Sequence, residues 1–427
     1  MPHVTAQTSQ PLTSRRGARP ARAFPRWLAA CAAALCALAA AVLPAAQAQA
    51  QASAPAAQAK ASAQAQAQAA RAQAAAVTWS VAHSPNGSGA STLTDVSCAS
   101  ATRCMAVGFY TDSSDVDQTL AESWNGTSWS LTKIPDKGSS DNILTGVSCA
   151  SATRCMAVGY HSTGSGAVQT LAETWNGSAW SVTSPGNPSS TYDALNGVSC
   201  ASVTSCMAVG YANIGSNTET VAESWNGSSW TVRTSQNPGG SYTLFGGVSC
   251  ASTASCVAVG SQFDGVSEDL TLVEIWNGSS WSVVSSTPSP GENNFLAGVS
   301  CVSSTHCVAV GQAQTADLTT TVIESWKGGS WQLADSSNPG SSSDQLSGVS
   351  CASPKSCVAV GDDTSGAVTD TLIETLSGGS WPATTSPDPS STNNALRGVS
   401  CTAPGSCAAA GSDTPAATSK TLIEATF

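Results

Sequence analysis

The chain has 427 residues, and its 16 Lys and Arg against 27 Asp and Glu give a formal net charge of -11. A surface with this excess of acid repels phosphate backbones and anionic lipid, which argues against nucleic acid and membrane surfaces as partners. The length alone would predict two or three domains, but an internal repeat takes precedence over length as a guide to domain number.

The N-terminal 76 residues predict export followed by a spacer. Five arginines from Arg15 to Arg26 precede an apolar run from Trp27 to Pro44, and Ala46-Gln47-Ala48 supplies a small-x-small cleavage site. This pattern predicts a secretory signal peptide over residues 1–48, with a retained single membrane anchor as the alternative. Cleavage removes five basic and no acidic residues, so the formal charge becomes -16. Residues 49–76, nearly all Ala and Gln, cannot bury a core and are expected to form a disordered linker.

The remainder of the chain, residues 77–427, repeats one unit seven times. The unit carries the pattern VSC-x5-C-x-A-V/A-G, and its first cysteine recurs every 50 or 51 residues. A period of this length is typical of four-stranded propeller blades.

Short strand signals separated by turn residues divide one unit into four parts. In the second unit they run from Leu144 to Cys149, Cys155 to Tyr160, Thr170 to Trp175 and Trp180 to Thr183. A WNGxxW segment stands between the third and fourth signals, and Asn-Gly is the strongest short hairpin signal. Four antiparallel strands per unit are therefore predicted.

The two ends of the repeat array are complementary. Residues 77–81 read as a fourth strand without the first three, and residues 421–427 read as a third strand without a fourth. Pairing these ends leaves no open sheet edge at the join. The sequence thus predicts an all-β, seven-bladed β-propeller over residues 77–427, with the last blade closed by the N-terminal strand.

Fourteen of the 16 cysteines lie in the repeats, two per unit, and the remaining two, Cys31 and Cys36, lie in the predicted leader. Each pair faces across the first hairpin, where a disulfide would contribute about 2 kcal/mol. Zinc is the alternative, but it needs four ligands, and the array offers only His83, His161 and His306 besides the cysteines. The sequence favours disulfides and predicts neither metal nor cofactor. The predicted pairs are Cys98–Cys104, Cys149–Cys155, Cys200–Cys206, Cys250–Cys256, Cys301–Cys307, Cys351–Cys357 and Cys401–Cys407.

The repeated motifs GVSC-AS-x3-C-x-AVG and E-x-WNG-x-x-W resemble those of the kelch and BNR (Asp-box) propeller superfamily, and above all of secreted actinobacterial repeat proteins. The resemblance covers residues 77–427 and implies the propeller fold. At Gly126-Thr127-Ser128-Trp129 the chain keeps the Gly-x-x-Trp half of an Asp-box, while Glu122 and Trp124 replace its hydroxyl residue and its Asp. Since even a complete Asp-box is a structural turn, the resemblance implies no catalytic residue.

One glutamate recurs in the TLxE pattern of every unit. Strand alternation places it with the apolar residues packed between blades, where a carboxylate must be hydrogen-bonded. Presence in all seven units favours a structural role over catalysis, because an active site is normally built once. These residues are Glu122, Glu173, Glu223, Glu274, Glu324, Glu374 and Glu424.

An enzymatic alternative remains open, namely a secreted glycoside hydrolase, sialidase-like enzyme or lyase with a site built from unrepeated loop residues. A sialidase needs clustered arginines, and the repeats hold only Arg103, Arg154, Arg233 and Arg397. Glycosidases need two acids at a defined separation, and no pair is singular enough to name. Asp112, Asp115 and Asp117 could bind calcium, but without the Gly and distal Glu of a calcium loop they favour a solvated loop.

The turns of the unit differ in how much they vary. The cysteine hairpin and the Asn-Gly turn scarcely change, whereas the connection after AVG and the crossover to the next unit vary in length and content. Function concentrates on variable loops presented by a rigid scaffold. We therefore expect a non-catalytic binding or structural module, extracellular or associated with the cell wall and monomeric, whose variable rim binds a glycan or a protein. The candidate ligand-binding residues are Tyr110, Tyr160, Tyr192, Tyr211, Tyr242, Phe263 and Phe295.

Overall fold

The computed structural model describes residues 77–427 except 239, 288–292 and 416. The predicted signal peptide, the linker and Cys31 and Cys36 lie outside the described residues. All the regular elements of the described part are β-strands, and nothing in it is a helix with the length and apolar character needed to cross a membrane.

The strands form seven four-stranded antiparallel blades. The first blade contains β2 (Ser91–Ser100), β3 (Arg103–Thr111), β4 (Asp117–Trp124) and β5 (Trp129–Leu131). The second contains β6 (Asn142–Ser151), β7 (Arg154–Ser162), β8 (Val168–Trp175) and β9 (Trp180–Thr183). The third contains β10 (Asp193–Ser202), β11 (Ser205–Ile214), β12 (Asn217–Trp225) and β13 (Trp230–Val232). The fourth contains β14 (Thr243–Ser252), β15 (Ser255–Phe263), β16 (Asp269–Trp276) and β17 (Trp281–Val283). The fifth contains β18 (Asn293–Ser303), β19 (His306–Gln314), β20 (Thr319–Lys327) and β21 (Trp331–Leu333). The sixth contains β22 (Ser343–Ser353), β23 (Ser356–Ser365), β24 (Val368–Thr375) and β25 (Ala383–Thr384), and the seventh contains β26 (Asn394–Ala403), β27 (Ser406–Asp413), β28 (Lys420–Ala425) and β1 (Ser80–Ala82).

The prediction of a seven-bladed β-propeller is confirmed. Its strand limits are less accurate, because β7 extends two residues beyond Tyr160 and β8 begins two residues before Thr170. A single parallel bridge from Thr319 to Ser343 links the fifth and sixth blades, and isolated bridges such as Val168 to Tyr192 do the same at other junctions. These bridges join neighbouring blades without changing the number of blades.

The ends of the described chain meet in the seventh blade. Strand β1 pairs antiparallel with β28, with Ser80 opposite Ala425 and Ala82 opposite Ile423. Trp79, only 4% exposed, packs in the same apolar cluster as Leu422. The N-terminal strand therefore supplies the fourth strand that the C-terminal blade lacks.

A ring of hydrogen bonds joins the first strands of successive blades around a central channel. The serine of each VSC segment accepts a hydrogen bond from the amide of the first cysteine in the next blade, at 2.9–3.0 Å. The bond from Cys98 N to Ser400 Oγ, 2.9 Å long, completes the circle between the last blade and the first. The repeated serine thus has an inter-blade role that its place beside cysteine does not reveal in sequence.

The hydrophobic core is divided into seven clusters, and each cluster is shared by two neighbouring blades. In one of them Met207 and Val209 of the third blade pack against Phe245, Leu272 and Trp281 of the fourth. Both faces of each blade are therefore buried, which explains the uninterrupted apolar runs of the second and third strands.

The glycine of the AVG segment is required by a β-bulge in the adjacent first strand. In the fourth blade the register shifts between Phe245 and Gly247, which brings the carbonyl of Leu244 against Gly260. A Cβ at Gly260 would overlap that carbonyl oxygen and lie 2.9 Å from the Cα of Phe245. The same conflict recurs at the AVG glycine of every blade, including Gly311 and Gly411.

Substituting Gly260 by alanine is expected to destabilise the protein by about 3 kcal/mol or more, because backbone atoms of two strands must separate. Chemical denaturation of the Gly260→Ala variant measures this. The matched control is Gly164→Ala in an exposed loop, where no atom lies within 4 Å of the added Cβ, and we expect it to change stability by less than about 1 kcal/mol. Equal stabilities of the two variants would contradict this role for the glycine.

The structure joins all seven predicted cysteine pairs as disulfides across the first hairpin of each blade. The paired residues are direct cross-strand partners with Cα atoms 3.9–4.1 Å apart. The second cysteine of each pair is buried, and the first packs at the edge of the same cluster. Each bridge therefore fixes the tip of a first strand to the blade interior.

Candidate functional site

The two ends of the blades form two distinct rims. On the hairpin rim the cysteine hairpins meet the turns between third and fourth strands, as shown by Arg103 Nη1, which donates to Asn125 O at 2.7 Å. On the loop rim the turns between second and third strands meet the crossovers, as shown by Asn213 N, which donates to Tyr192 O at 2.8 Å. The variable segments of the sequence therefore all lie on the loop rim.

Four of the predicted ligand-binding residues form a tyrosine row on the loop rim of the second to fourth blades: Tyr160, Tyr192, Tyr211 and Tyr242. The rings of Tyr160 and Tyr192 are 6.3 Å apart and tilted, and those of Tyr192 and Tyr211 are 5.5 Å apart and stacked. Tyr242 lies close enough to influence the hydroxyl of Tyr211 and is itself 37% exposed. The rings of Tyr160, Tyr192 and Tyr211 thus form a continuous, half-buried aromatic strip, with the more exposed Tyr242 beside it.

Two different elements of the repeat supply the row alternately. Tyr160 and Tyr211 directly follow the AVG glycine and lie inside β7 and β11, which extend beyond them; the sequence placed Tyr160 at the end of its strand. Tyr192 and Tyr242 end the crossovers, where parallel bridges to Val168 and Thr218 hold their backbones. Because strands carry the first two residues and parallel bridges fix the other two directly before β10 and β14, the rings rest on a rigid base.

The hydroxyl groups of Tyr160, Tyr211 and Tyr242 remain protonated over the physiological range. Burial is the main cause of a raised pKa at Tyr160, Tyr211 and Tyr242. At Tyr160 the neighbouring Tyr192 and then Asp117 raise the pKa further, and at Tyr211 the hydrogen bond with Tyr192 does so. These three residues therefore offer neutral hydroxyl donors and ring faces rather than a nucleophilic phenolate.

The other three predicted ligand-binding residues lie apart from this strip. Tyr110 packs against the apolar cluster shared by the seventh and first blades. Phe263 ends β15, and its amide donates to Tyr242 O at 2.8 Å, so it adjoins the row without a ring contact recorded to it. Phe295 lies in the first strand of the fifth blade opposite Gln312. The structure thus brings together four of the seven candidates.

The seven TLxE glutamates are fully buried between blades. Six of them accept a hydrogen bond from the crossover that arrives from the preceding blade. Glu223 accepts from Gly186 N at 2.7 Å, and Glu122 accepts from Ser84 Oγ at 2.9 Å. Burial raises the pKa of these two side chains to about 7 and about 8. This arrangement supports a structural role, because each carboxyl group fastens one crossover to the next blade.

Glu173 is the exception, and the sequence of its crossover explains why. Where other crossovers offer an amide or a serine hydroxyl, this one has Ile134 followed by Pro135, which lacks an N–H. Neither carboxyl oxygen of Glu173 has a recorded hydrogen-bond partner. Burial and then Asp136 raise its pKa to about 9, so the side chain is protonated at neutral pH.

The central channel is a cavity of about 360 Å³ lined by serine, glycine and valine. Among the described residues that line it, Asp95 is the one carboxylate, at a position held by glycine in the other six repeats. Its two oxygens accept from Val96 N and Val147 N at 2.8 Å, while burial raises its pKa to about 7. Oδ1 is bound within its own strand and Oδ2 joins the first blade to the second, and the described lining of the channel offers no second carboxylate for the pair of acids that glycoside hydrolysis uses.

The arginines are dispersed rather than gathered around one pocket. Arg103 and Arg154 donate to turn carbonyls on the hairpin rim, and Arg233 donates to Ser224 Oγ at 2.7 Å. Arg397 forms an ion pair with Asp362 at 3.3 Å. The described residues therefore contain no arginine cluster of the kind a sialidase needs.

The carboxyl group of Asp112 forms hydrogen bonds with backbone amides of its own loop. Asp112 Oδ1 accepts from the amides of Ser114 and Val116, and these bonds lower the pKa of the carboxyl group. Across the described residues, no group of three or more potential ligands is placed to hold a metal ion.

No protein-family model matches the chain, and no curated protein matches it. Among solved structures, the chain is similar to one described as "YCF48 bound to D1 peptide", with 12% sequence identity and a TM-score of 0.49. The match covers 81% of this chain and 96% of that one.

Proposed function

We propose that the chain is an exported, non-catalytic binding propeller whose loop rim recognises a neutral glycan through the tyrosine row. The observation that carries this proposal is the contact between the rings of Tyr160, Tyr192 and Tyr211 in one strip, with Tyr242 beside it and the backbones held by strands and parallel bridges. Such a strip exceeds what the fold requires, since Ser261 and Gln312 follow the AVG glycine in the fourth and fifth blades.

The chemistry around the row suits an uncharged sugar polymer. Ring faces pack against the apolar faces of sugar rings, and neutral hydroxyl and amide groups then orient them. The exposed side chains of Thr191 and Asn213 lie beside the row, and Asp269 adjoins Tyr242. The strong net negative charge of the protein makes an acidic polymer a poor ligand.

The surroundings proposed for this module follow from the cysteines and the N-terminus. Fourteen paired cysteines fit an oxidising, extracellular or cell-wall environment. We further propose export through a signal peptide at residues 1–48, a linker over 49–76 and a monomeric state. We also propose kinship with secreted kelch or BNR-like propellers.

A pull-down on insoluble polysaccharides tests the proposal. Residues 77–427 are incubated with cellulose, chitin, starch and purified peptidoglycan, and we expect retention on at least one of them. Tyr192→Ala removes the ring that contacts both neighbours, and it is expected to weaken retention by about tenfold or more, which corresponds to about 1.4 kcal/mol.

The matched control is Tyr110→Ala, which removes a tyrosine from the same fold away from the row. It should retain the binding of the unchanged protein. Equal loss in both variants, or undiminished retention of Tyr192→Ala, contradicts the assignment of the row. Absence of retention on all four polymers contradicts the glycan class and leaves a protein ligand for the same rim.

A further inference from the structure

A deep cleft opens on the hairpin rim between the fifth and sixth blades, on the side opposite the tyrosine row. Its volume is about 600 Å³, which falls within the range of small-molecule sites. The corresponding grooves between the first and second, second and third, and third and fourth blades measure about 260, 40 and 260 Å³. The cleft is therefore a local feature and not a property of every blade junction.

One substitution in the repeat accounts for the opening. The smaller grooves lie between the third-strand tryptophans of successive blades, such as Trp225 and Trp276. In the cleft Trp326 occupies one side, but Leu376 stands where the next tryptophan would be. The smaller side chain leaves open space beside Trp326, while Trp381, which is only 1% exposed, stays covered at the edge of the cleft.

The turns beside the cleft also differ from those of the other blades. In the first three blades the turn glycine packs against a threonine of the cysteine hairpin; a Cβ at Gly126, for example, would lie 3.1 Å from Thr102 Cβ. At Gly328, Gly378 and Gly379 no atom lies within 4 Å of that position. The turns thus stand away from the hairpins and leave the cleft open to solvent.

Cationic side chains gather at this opening. Lys327 replaces the asparagine of the Asn-Gly turn, and Lys355 replaces the hairpin threonine. Both line the cleft, together with His306 and one opposing acid, Asp335. Only nine of the 16 Lys and Arg residues lie within 77–427, so two at one cleft of an acidic protein form a marked local excess of positive charge.

We propose that this cleft binds a small organic anion with a flat apolar body and one carboxylate or similar acidic group. The apolar body lies between Trp326 and Leu376, and the acidic group pairs with Lys327 and Lys355 at the mouth. The site is independent of the glycan site proposed on the loop rim, since the two lie on opposite rims.

Binding of naphthalene-2-carboxylate, measured by calorimetry on residues 77–427, tests this site. Naphthalene-2-carboxamide is the matched neutral probe, and we expect it to bind about tenfold more weakly. The Leu376→Trp variant restores the residue found in the first five blades and should weaken binding of the carboxylate by about tenfold or more while keeping the melting temperature. The exposed double variant Lys327→Gln/Lys355→Gln should lower affinity for the carboxylate about fivefold and leave the carboxamide unchanged.

Tyr192→Ala is the control on the other rim and should bind the carboxylate normally. The proposal is overturned by equal binding of the two probes, by undiminished binding to Leu376→Trp, or by no measurable binding of the carboxylate to the unchanged protein. If Leu376→Trp fails to fold, the double lysine variant decides, because both of its substitutions lie on the exposed rim.

Discussion

Replacing Trp79 by alanine is expected to destabilise the protein by about 3–5 kcal/mol, the usual cost of emptying a buried aromatic site. Trp79 is 4% exposed and packs with Leu422, Leu396 and Val360, residues that lie more than 280 positions away in sequence. The loss acts on the junction that closes the ring, so we expect it to lower the melting temperature of the whole propeller. Calorimetric melting of the Trp79→Ala variant measures the effect.

The matched control is Val81→Ala, two residues further along the same strand, where the side chain is 46% exposed. This change should cost less than about 1 kcal/mol. Comparable melting temperatures for the two variants would mean that the N-terminal segment does not anchor the seventh blade.

Stability is expected to fall steadily as pH rises from about 5 to 9. The pKa values of all seven TLxE glutamates are raised by burial, to about 7 for Glu223, about 8 for Glu374 and about 9 for Glu173. The folded protein therefore holds protons that the unfolded chain releases near 4.5. The stabilisation is complete below that pH and is lost as pH rises through the folded-state pKa values.

Glu173 should dominate this dependence because it has the highest pKa and no hydrogen-bond donor beside it. Glu173→Gln keeps the shape of the protonated acid but cannot ionise. We expect it to be close to the unchanged protein near pH 5 and to be more stable by about 5 kcal/mol near pH 9. Melting curves of both proteins between pH 5 and 9 measure the difference.

Asp317→Asn supplies the control for that experiment, since Asp317 is exposed in a loop of the fifth blade. It removes one negative charge without touching a buried carboxyl group, so its melting curves should run parallel to those of the unchanged protein. If Glu173→Gln also runs parallel over the whole range, ionisation of Glu173 does not limit stability at alkaline pH.

Repetition is what makes the architecture predictable from the sequence. Seven copies of one pattern reveal the period, the four strand signals and the complementary ends, because the same local sequence preferences recur in each copy. The glycine of AVG is visible in the sequence, but the reason for it is not. It depends on a bulge in the neighbouring strand, whose position only the glycine before VSC, Gly197 in the third blade, indicates in the sequence.

The candidate sites were predictable only in part. Tyr160 and Tyr192 stand out as variable aromatics, but their contact depends on the crossover that places one blade's tyrosine beside the next. Tyr110 follows the AVG glycine by two residues rather than one, so strand alternation turns it to the other face, where it packs against a core cluster. The cleft on the hairpin rim was missed because those turns were read as constant, although Leu376 in place of tryptophan and Lys327 in place of asparagine were available signals.

Hydrogen exchange of the intact protein tests the closed ring most directly. In the structure the backbone of residues 80–82 is paired with β28, so peptides covering Thr78 to His83 and Leu422 to Phe427 should be protected together, at a level similar to the interior of the other blades. Exchange of the first peptide within seconds, as in an unpaired tail, would contradict the shared seventh blade on which the whole account rests.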